Sequence, residues 1–254
     1  MEPCGPQFAS YRKPDCQTGG SIVTSSVLPS RPPVAKPAIR PLRNGDHLTR
    51  DEFERRYESM PGVNKAELIE GVVHMPSSIS AEDHGERHFD LNGLLFIYRV
   101  HTPCVRGGDN ATLRLDLDNE PQPDGYLRLL PECGGQARLV DGYVTGAPEL
   151  IVEIAASSAS YDLHEKLKAY RRNGVREYVV WRVWDAVIDW FVLRGGRFEP
   201  QQPPDGIYRS EVFPGLCLDF EAVLQGDLAR VLAILQQGLA SPEHAAFVAG
   251  LEQR

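Results

Sequence analysis

The stretch Glu149–Lys166, ELIVEIAASSASYDLHEK, decides how this chain is read. Leu150, Ile151, Val152 and Ile154 make a short apolar run of the kind that forms a buried strand, and Glu153 sits inside it. Ionising a carboxylate there costs roughly several kcal/mol unless a metal ion or a cation pairs with it. Val or Ile would carry no such cost. An acid kept in that position therefore calls for a reason, and a functional acid competes on equal terms with a structural ion pair.

Downstream, residues 162–173 read as a helix ended by Asn173-Gly174. At ~100° per residue, Leu163, Leu167 and Tyr170 form an apolar stripe with Lys166 on its flank and Lys168 opposite. Lys166 is thus expected to lean toward whatever the stripe packs on. A surface pair with Asp162, worth a few tenths of a kcal/mol, is the plainer reading of Lys166 taken alone. Upstream, Asp124 follows Pro123 at the start of a strand, where proline's missing N–H does little harm. A turn aspartate is its plainer reading. Glu67 lies in the first of two short strands, near 65–69 and 72–75, turned at Glu70-Gly71.

Taken together, Glu67, Asp124, Glu153 and Lys166 suggest phosphodiester hydrolysis. Carboxylates hold Mg²⁺ or Mn²⁺, hard ions that prefer oxygen ligands. Such an ion activates water and neutralises phosphate oxygens, while a lysine steadies the growing charge. Other candidates carry less. His84 and His88 share a helix face without a third ligand, so a solvated helix start is expected. Ser157, Ser158 and Ser160 lack a G-x-S-x-G elbow and read as a helix-entry loop. Trp181, Trp184 and Trp190 read as packing aromatics. Lys168, Arg171, Arg172 and Arg176 make a basic edge, read as a solvated face that would also suit phosphate.

The remaining pattern bounds the class. The chain has 254 residues, 42% hydrophobic, enough for one sizeable domain with appendages. Residues 1–45 hold eight of the 20 prolines and no periodicity, and are expected to be disordered. Thr49 and Glu52 form a T-x-x-E capping box opening a helix to Ser59. A long helix is expected over 81–101, strands at 113–115 and 124–129, a Gly-rich loop over 133–146, a hairpin of strands at 178–183 and 187–193, an edge strand at 208–213, and helices over 227–237 and 242–252. This order implies one α/β domain with a mixed sheet flanked by helices. The expected division is a disordered segment 1–45, a domain 46–224 and a helical extension 225–254, whose Leu228, Val231, Leu232 and Leu235 offer either a homodimer face or a face that packs on the sheet.

The net charge is −8, with seven Lys/Arg against three Asp/Glu in residues 1–50 and 20 against 32 beyond. Bulk charge therefore argues mildly against coating nucleic acid. Five scattered cysteines without a C-x-x-C pair read as reduced thiols, and no apolar run reaches membrane length, so a cytoplasmic protein without a membrane partner is expected.

The segments AELIEGVVHMPS (66–77), QPDGYL (122–127), GAPELIVEIAASSASYDLHEKLKAYRRNGVREYVVW (146–181) and FPGLCLDF (213–220) resemble the Uma-two family of restriction endonuclease-like proteins, of the PD-(D/E)XK nuclease superfamily. The resemblance runs from about Thr49 to Val223. It implies a restriction-endonuclease-like fold, a divalent-metal site and a DNA substrate. It carries the family's E-L-I-x-G acid onto Glu67, its P-D aspartate onto Asp124 and its strand acid onto Glu153. The superfamily's lysine usually falls two residues after that acid, where this chain has Ala155, so the resemblance implies relocation to the next helix at Lys166. Metal-dependent DNA cleavage is thus the leading expectation. A catalytically inactive nucleic-acid- or protein-binding module on the same fold is the alternative, and hydrolysis of RNA or a small phosphoester a third.

Overall fold

The computed structural model describes residues 39–76, 81–156 and 158–253; residues 1–38, with Cys4 and Cys16, and Ser157 lie outside them. Helix α1 (Arg50–Glu58) carries Asp51 and Glu52 in its first turn and Arg55 and Arg56 in its last, the arrangement that suits the helix dipole. The expected capping box does not form. The Thr49 side chain makes no cap bond, and the Glu52 carboxylate is drawn to Arg55 at 2.8 Å and Arg56 at 2.6 Å. Strands β1 (Glu67–Ile69) and β2 (Val72–His74) pair across a tight turn in which Glu70 and Gly71 both have positive φ. Backbone ahead of Thr49 is already tied to this unit. Leu42 is buried with Phe53 and Leu68, and the Gly45 N–H donates to the Val73 carbonyl at 2.8 Å.

A widened, π-type turn (Ala81–Gly85) opens α2 (Glu86–His101), followed by β3 (Val105–Gly108), β4 (Leu113–Arg114) and β5 (Gly125–Leu129). The expected Gly-rich loop instead contains β6 (Arg138–Val140) and β7 (Tyr143–Thr145), turned at Asp141-Gly142, a dipeptide suited to hairpins. Then come β8 (Leu150–Ala155), the single turn α3 (Ala159–Tyr161), a second π-type turn (Asp162–Lys166) and α4 (Leu167–Asn173), capped by Gly174 at φ 81°. Strands β9 (Glu177–Arg182), β10 (Val187–Arg194) and β11 (Arg197–Pro200) form a meander. Strands β12 (Ile207–Arg209) and β13 (Cys217–Asp219) lead to α5 (Phe220–Gln225), α6 (Leu228–Leu239) and α7 (Pro242–Glu252).

The main sheet has the order β11-β10-β9-β8-β5-β3, with β8 and β9 parallel and the other neighbours antiparallel. Alternation on β8 assigns the two faces. Leu150, Val152 and Ile154 join one core with Leu95, Trp181 and Trp190; Ile151 and Ala155 join the other with Tyr170 and Tyr178. Glu153 shares the second face, under the π-type turn and α4. Val231 and Leu235 of α6 are buried in the first core, whereas Leu228 is exposed. Trp184 departs from the expected packing role and is 66% exposed in the β9–β10 turn.

The thiols also differ from expectation. Cys104 and Cys133 form a disulfide. Pairing of Val105 with Leu129, and the Leu130 N–H donated to the Cys104 carbonyl at 2.9 Å, bring together residues 29 apart in sequence. No helix among the described residues is long and apolar enough to cross a membrane.

Candidate active site

The antiparallel register of β5 and β8 pairs Gly125 with Val152. One step further sets Asp124 opposite Glu153, so both acids project from the same face of the sheet. Asp124 is locked to that position. Its Oδ2 accepts the Ile154 N–H at 2.8 Å, and its own carbonyl accepts Asn92 Nδ2 of α2 at 2.9 Å. Gly125 makes the approach of α2 possible, since a Cβ there would lie 2.7 Å from Asn92 Oδ1.

Lys166 is the hub of the site. Its Nζ lies 2.9 Å from Glu153 Oε1, 3.1 Å from Glu67 Oε1 and 3.5 Å from Asp162 Oδ1. Tyr170 donates its hydroxyl to the same Glu153 oxygen at 2.8 Å, the Gln122 N–H donates to Glu67 Oε1 at 2.7 Å, and the Ser158 hydroxyl donates to Asp162 Oδ2 at 2.6 Å. All five charged residues are between 2% and 4% exposed. Asp162 is thus a buried member of the cluster, not a surface partner. At the opening, His84 Nε2 lies 3.1 Å from Asp124 Oδ2 and Lys65 Nζ 3.5 Å from Oδ1.

These surroundings push the acids apart. Burial would raise Asp124, but the His84 ring, Lys65 and the Ile154 amide hold its carboxyl well below the usual range. Burial raises Glu153; Lys166 opposes that, while Asp124, Asp162 and Glu67 reinforce it. Burial likewise raises Asp162 against the pull of Lys166 and Ser158. Burial would lower Lys166, yet Glu153, Glu67 and Asp162 outweigh it and hold the ammonium charged.

All four residues singled out in sequence therefore meet in one place. His84, expected at a solvated helix start, and Lys65, which carried no sequence signal, join them on Asp124, 40 and 59 positions away in sequence. A usable signal exists in the local backbone. Both π-type turns carry site residues, His84 in one and Asp162 with Lys166 in the other, and such widened turns concentrate at functional sites. The basic edge after Lys166 is in part neutralised, with Lys168 paired to Glu70 at 2.9 Å and Arg172 to Glu70 and Asp116.

The model of the Uma2 family, described as putative restriction endonuclease, matches residues 50–221. The chain belongs to that family. The match spans the whole main sheet and every member of the site, from Lys65 to Tyr170. A crystal structure of a putative nuclease belonging to DUF820, from Anabaena variabilis ATCC 29413, is similar to this Uma2 protein with a TM-score of 0.55 and 16% identity, covering 70% of this chain and 98% of that one. At that identity the likeness bears on the fold. No curated protein matches the chain.

Among the described residues, no three His, Cys, Asp or Glu side chains are gathered so as to hold a metal ion by themselves. Two features nevertheless suit a divalent cation in this Uma2 protein. Asp124 Oδ1 is buried without a hydrogen-bond partner, and three further buried carboxyls surround one buried ammonium. Mg²⁺ commonly takes one or two carboxylates and leaves its other positions to water and substrate phosphate.

Proposed function

We propose that this Uma2 protein hydrolyses phosphodiester bonds in DNA with Mg²⁺ or Mn²⁺. The observation that carries the reading is the buried Asp124 oxygen without a hydrogen bond, facing a strand acid across the sheet. Asp124 and Glu153 are the residues that would hold the ion, with Glu67 as the third carboxylate of the cluster. When bound, the ion would supply an acidified water and neutralise phosphate oxygens. The chain's own groups prepare that place. The Ile154 amide and His84 fix the Asp124 carboxylate, Lys166 and Tyr170 aim one oxygen of Glu153, and Lys65 presents a second cation where substrate phosphate would enter.

Purified protein is expected to nick plasmid DNA with Mg²⁺ or Mn²⁺, and Asp124→Asn or Glu153→Gln to remove the activity. Cleavage persisting in both variants sinks the site. Mn²⁺ is also expected to raise the thermal midpoint of the wild type and leave that of Asp124→Asn unmoved, a readout independent of turnover.

A second reading, a binding module that keeps the fold without cutting, is favoured by one observation. Lys166 Nζ is engaged by three carboxylates and nearly sealed from solvent, which leaves it poorly placed to touch a substrate. DNA bound equally well in EDTA and in Mg²⁺, and never cut, would favour this module over the nuclease.

A further inference from the structure

Strands β3 and β5 place Arg106 directly opposite Arg128. Like charges in that arrangement destabilise an antiparallel pair. Arg128 is 5% exposed, and among the described residues its guanidinium makes no hydrogen bond and no ion pair. Glu149, the next residue across the sheet by continuation of the β5–β8 register, spends both oxygens on the backbone amides of Leu129 at 2.8 Å and Gln136 at 3.0 Å. Among the described residues, the exposed Arg106 donates only to the carbonyl of the preceding Val105, and the exposed Arg99 of α2 makes no hydrogen bond or ion pair. The charges of Arg128 and Arg99 both favour ionisation of the Tyr126 hydroxyl, and that of the exposed Asp109 opposes it. Arg99 and Tyr126 also line a cavity of about 250 Å³ with Gly107 and Gly108, where a Cβ on Gly108 would lie 2.8 Å from the Tyr126 hydroxyl.

The Arg128 guanidinium nitrogens keep contact with solvent while the rest of the side chain is buried, so an anion can reach them and form a charge-assisted, bidentate contact. Asp124, Tyr126 and Arg128 alternate onto the same side of the β5 strand line, so the guanidinium and the acid site lie on one face of the sheet. Four residues at ~3.3 Å separate Arg128 from Asp124 by about 13 Å, roughly four nucleotide rises of ~3.4 Å. We propose that Arg128 and Arg106 form a phosphate-binding subsite that grips the nucleic-acid backbone a few nucleotides from the scissile bond. The assignment of the ligand rests on the phosphodiesterase reading above.

The test is anisotropy of a labelled duplex oligonucleotide across a salt series, in Ca²⁺ to suppress cutting, with thermal melts in inorganic phosphate alongside. Arg128→Met is expected to weaken binding about 5–10-fold at ~0.1 M salt and to lower the salt slope by about 1. Its thermal midpoint without ligand should hold or rise, since an unpaired charge has been replaced by an apolar side chain. Arg106→Gln, on the surface, should lower the slope without touching the fold. Inorganic phosphate should raise the midpoint of the wild type and not of Arg128→Met. Binding with an unchanged slope in both variants overturns the subsite, as does a drop in midpoint for Arg128→Met with binding intact. A phosphate response without any effect on oligonucleotide binding overturns the backbone assignment in favour of a free-anion site. The two readings fail separately. Arginine-dependent binding without cleavage by the wild type sinks the hydrolytic reading alone, and Asp124-dependent cleavage with arginine-independent binding sinks the subsite alone.

Discussion

Lys166 shows how much one buried side chain can hold. Removing it leaves Glu153, Glu67 and Asp162 without their shared cation, and a buried charge stripped of its partner costs about 3–5 kcal/mol. Lys166→Met is therefore expected to lower urea stability by that amount, and adding Glu153→Gln should recover part of it. A cost below about 1 kcal/mol in the single variant would show that the cluster is not held by charge. The same scale separates what the sequence exposed from what it concealed. An acid within LIVEIA is visible because burial of a charge is costly wherever the strand goes. The His84–Asp124 contact is invisible, because nothing local in either segment fixes their separation.

At the scale of the element, Gly125 lets α2 lie against the strand that bears Asp124. A methyl group there meets Asn92 Oδ1 at 2.7 Å and Leu95 Cδ1 at 3.3 Å, so Gly125→Ala is expected to cost about 1–3 kcal/mol in chemical denaturation. Trimming the obstacle with Asn92→Ala should return part of that stability; if it does not, the close approach is not the cause. Elements were legible where period and punctuation agreed, as in the 150–155 strand, the α4 stop at Gly174 and the β9–β10 hairpin. The β6–β7 hairpin was missed because three-residue strands are too short to show alternation, although Asp141-Gly142 carried the turn signal. The Glu52 half of the capping box failed for a different reason: two nearby guanidinium groups outcompete one backbone amide for Glu52.

On the scale of the whole molecule, stability should vary with pH through acids buried away from the site. Burial raises Glu177 to about 7 despite hydrogen bonds from Ser210, Glu211 and Val212, and burial with the neighbouring Glu54 raises Glu120 to about 8. Each folded-state pKa lies above the ordinary carboxylate value, so the native state holds more protons than the unfolded chain in between. Stability is then highest near pH 4.5 as far as these groups are concerned, and declines as pH rises to about 7 for Glu177 and about 8 for Glu120. Asp124 has the opposite sign: its contribution is present above the ordinary carboxylate pKa and is lost as pH falls below it. Melts from pH 5 to 8 should show the decline, and Glu177→Gln should flatten the part below about 7; an unchanged profile would sink the assignment. Reductant is a second global probe. Opening the Cys104–Cys133 link, which spans 29 residues, should cost about 3 kcal/mol.

By itself the sequence determined the family, the α/β class and the four residues of the cluster, because apolar periodicity and the cost of burying charge are local properties that any fold must satisfy. Only the tertiary structure decided that Asp124 faces Glu153, that Asp162 and His84 join them, that two cysteines meet, and that two arginines stand opposed on β3 and β5. Each of those depends on strand register and on the seating of a helix across the sheet, which are set by the packing of the whole core and not by any one segment.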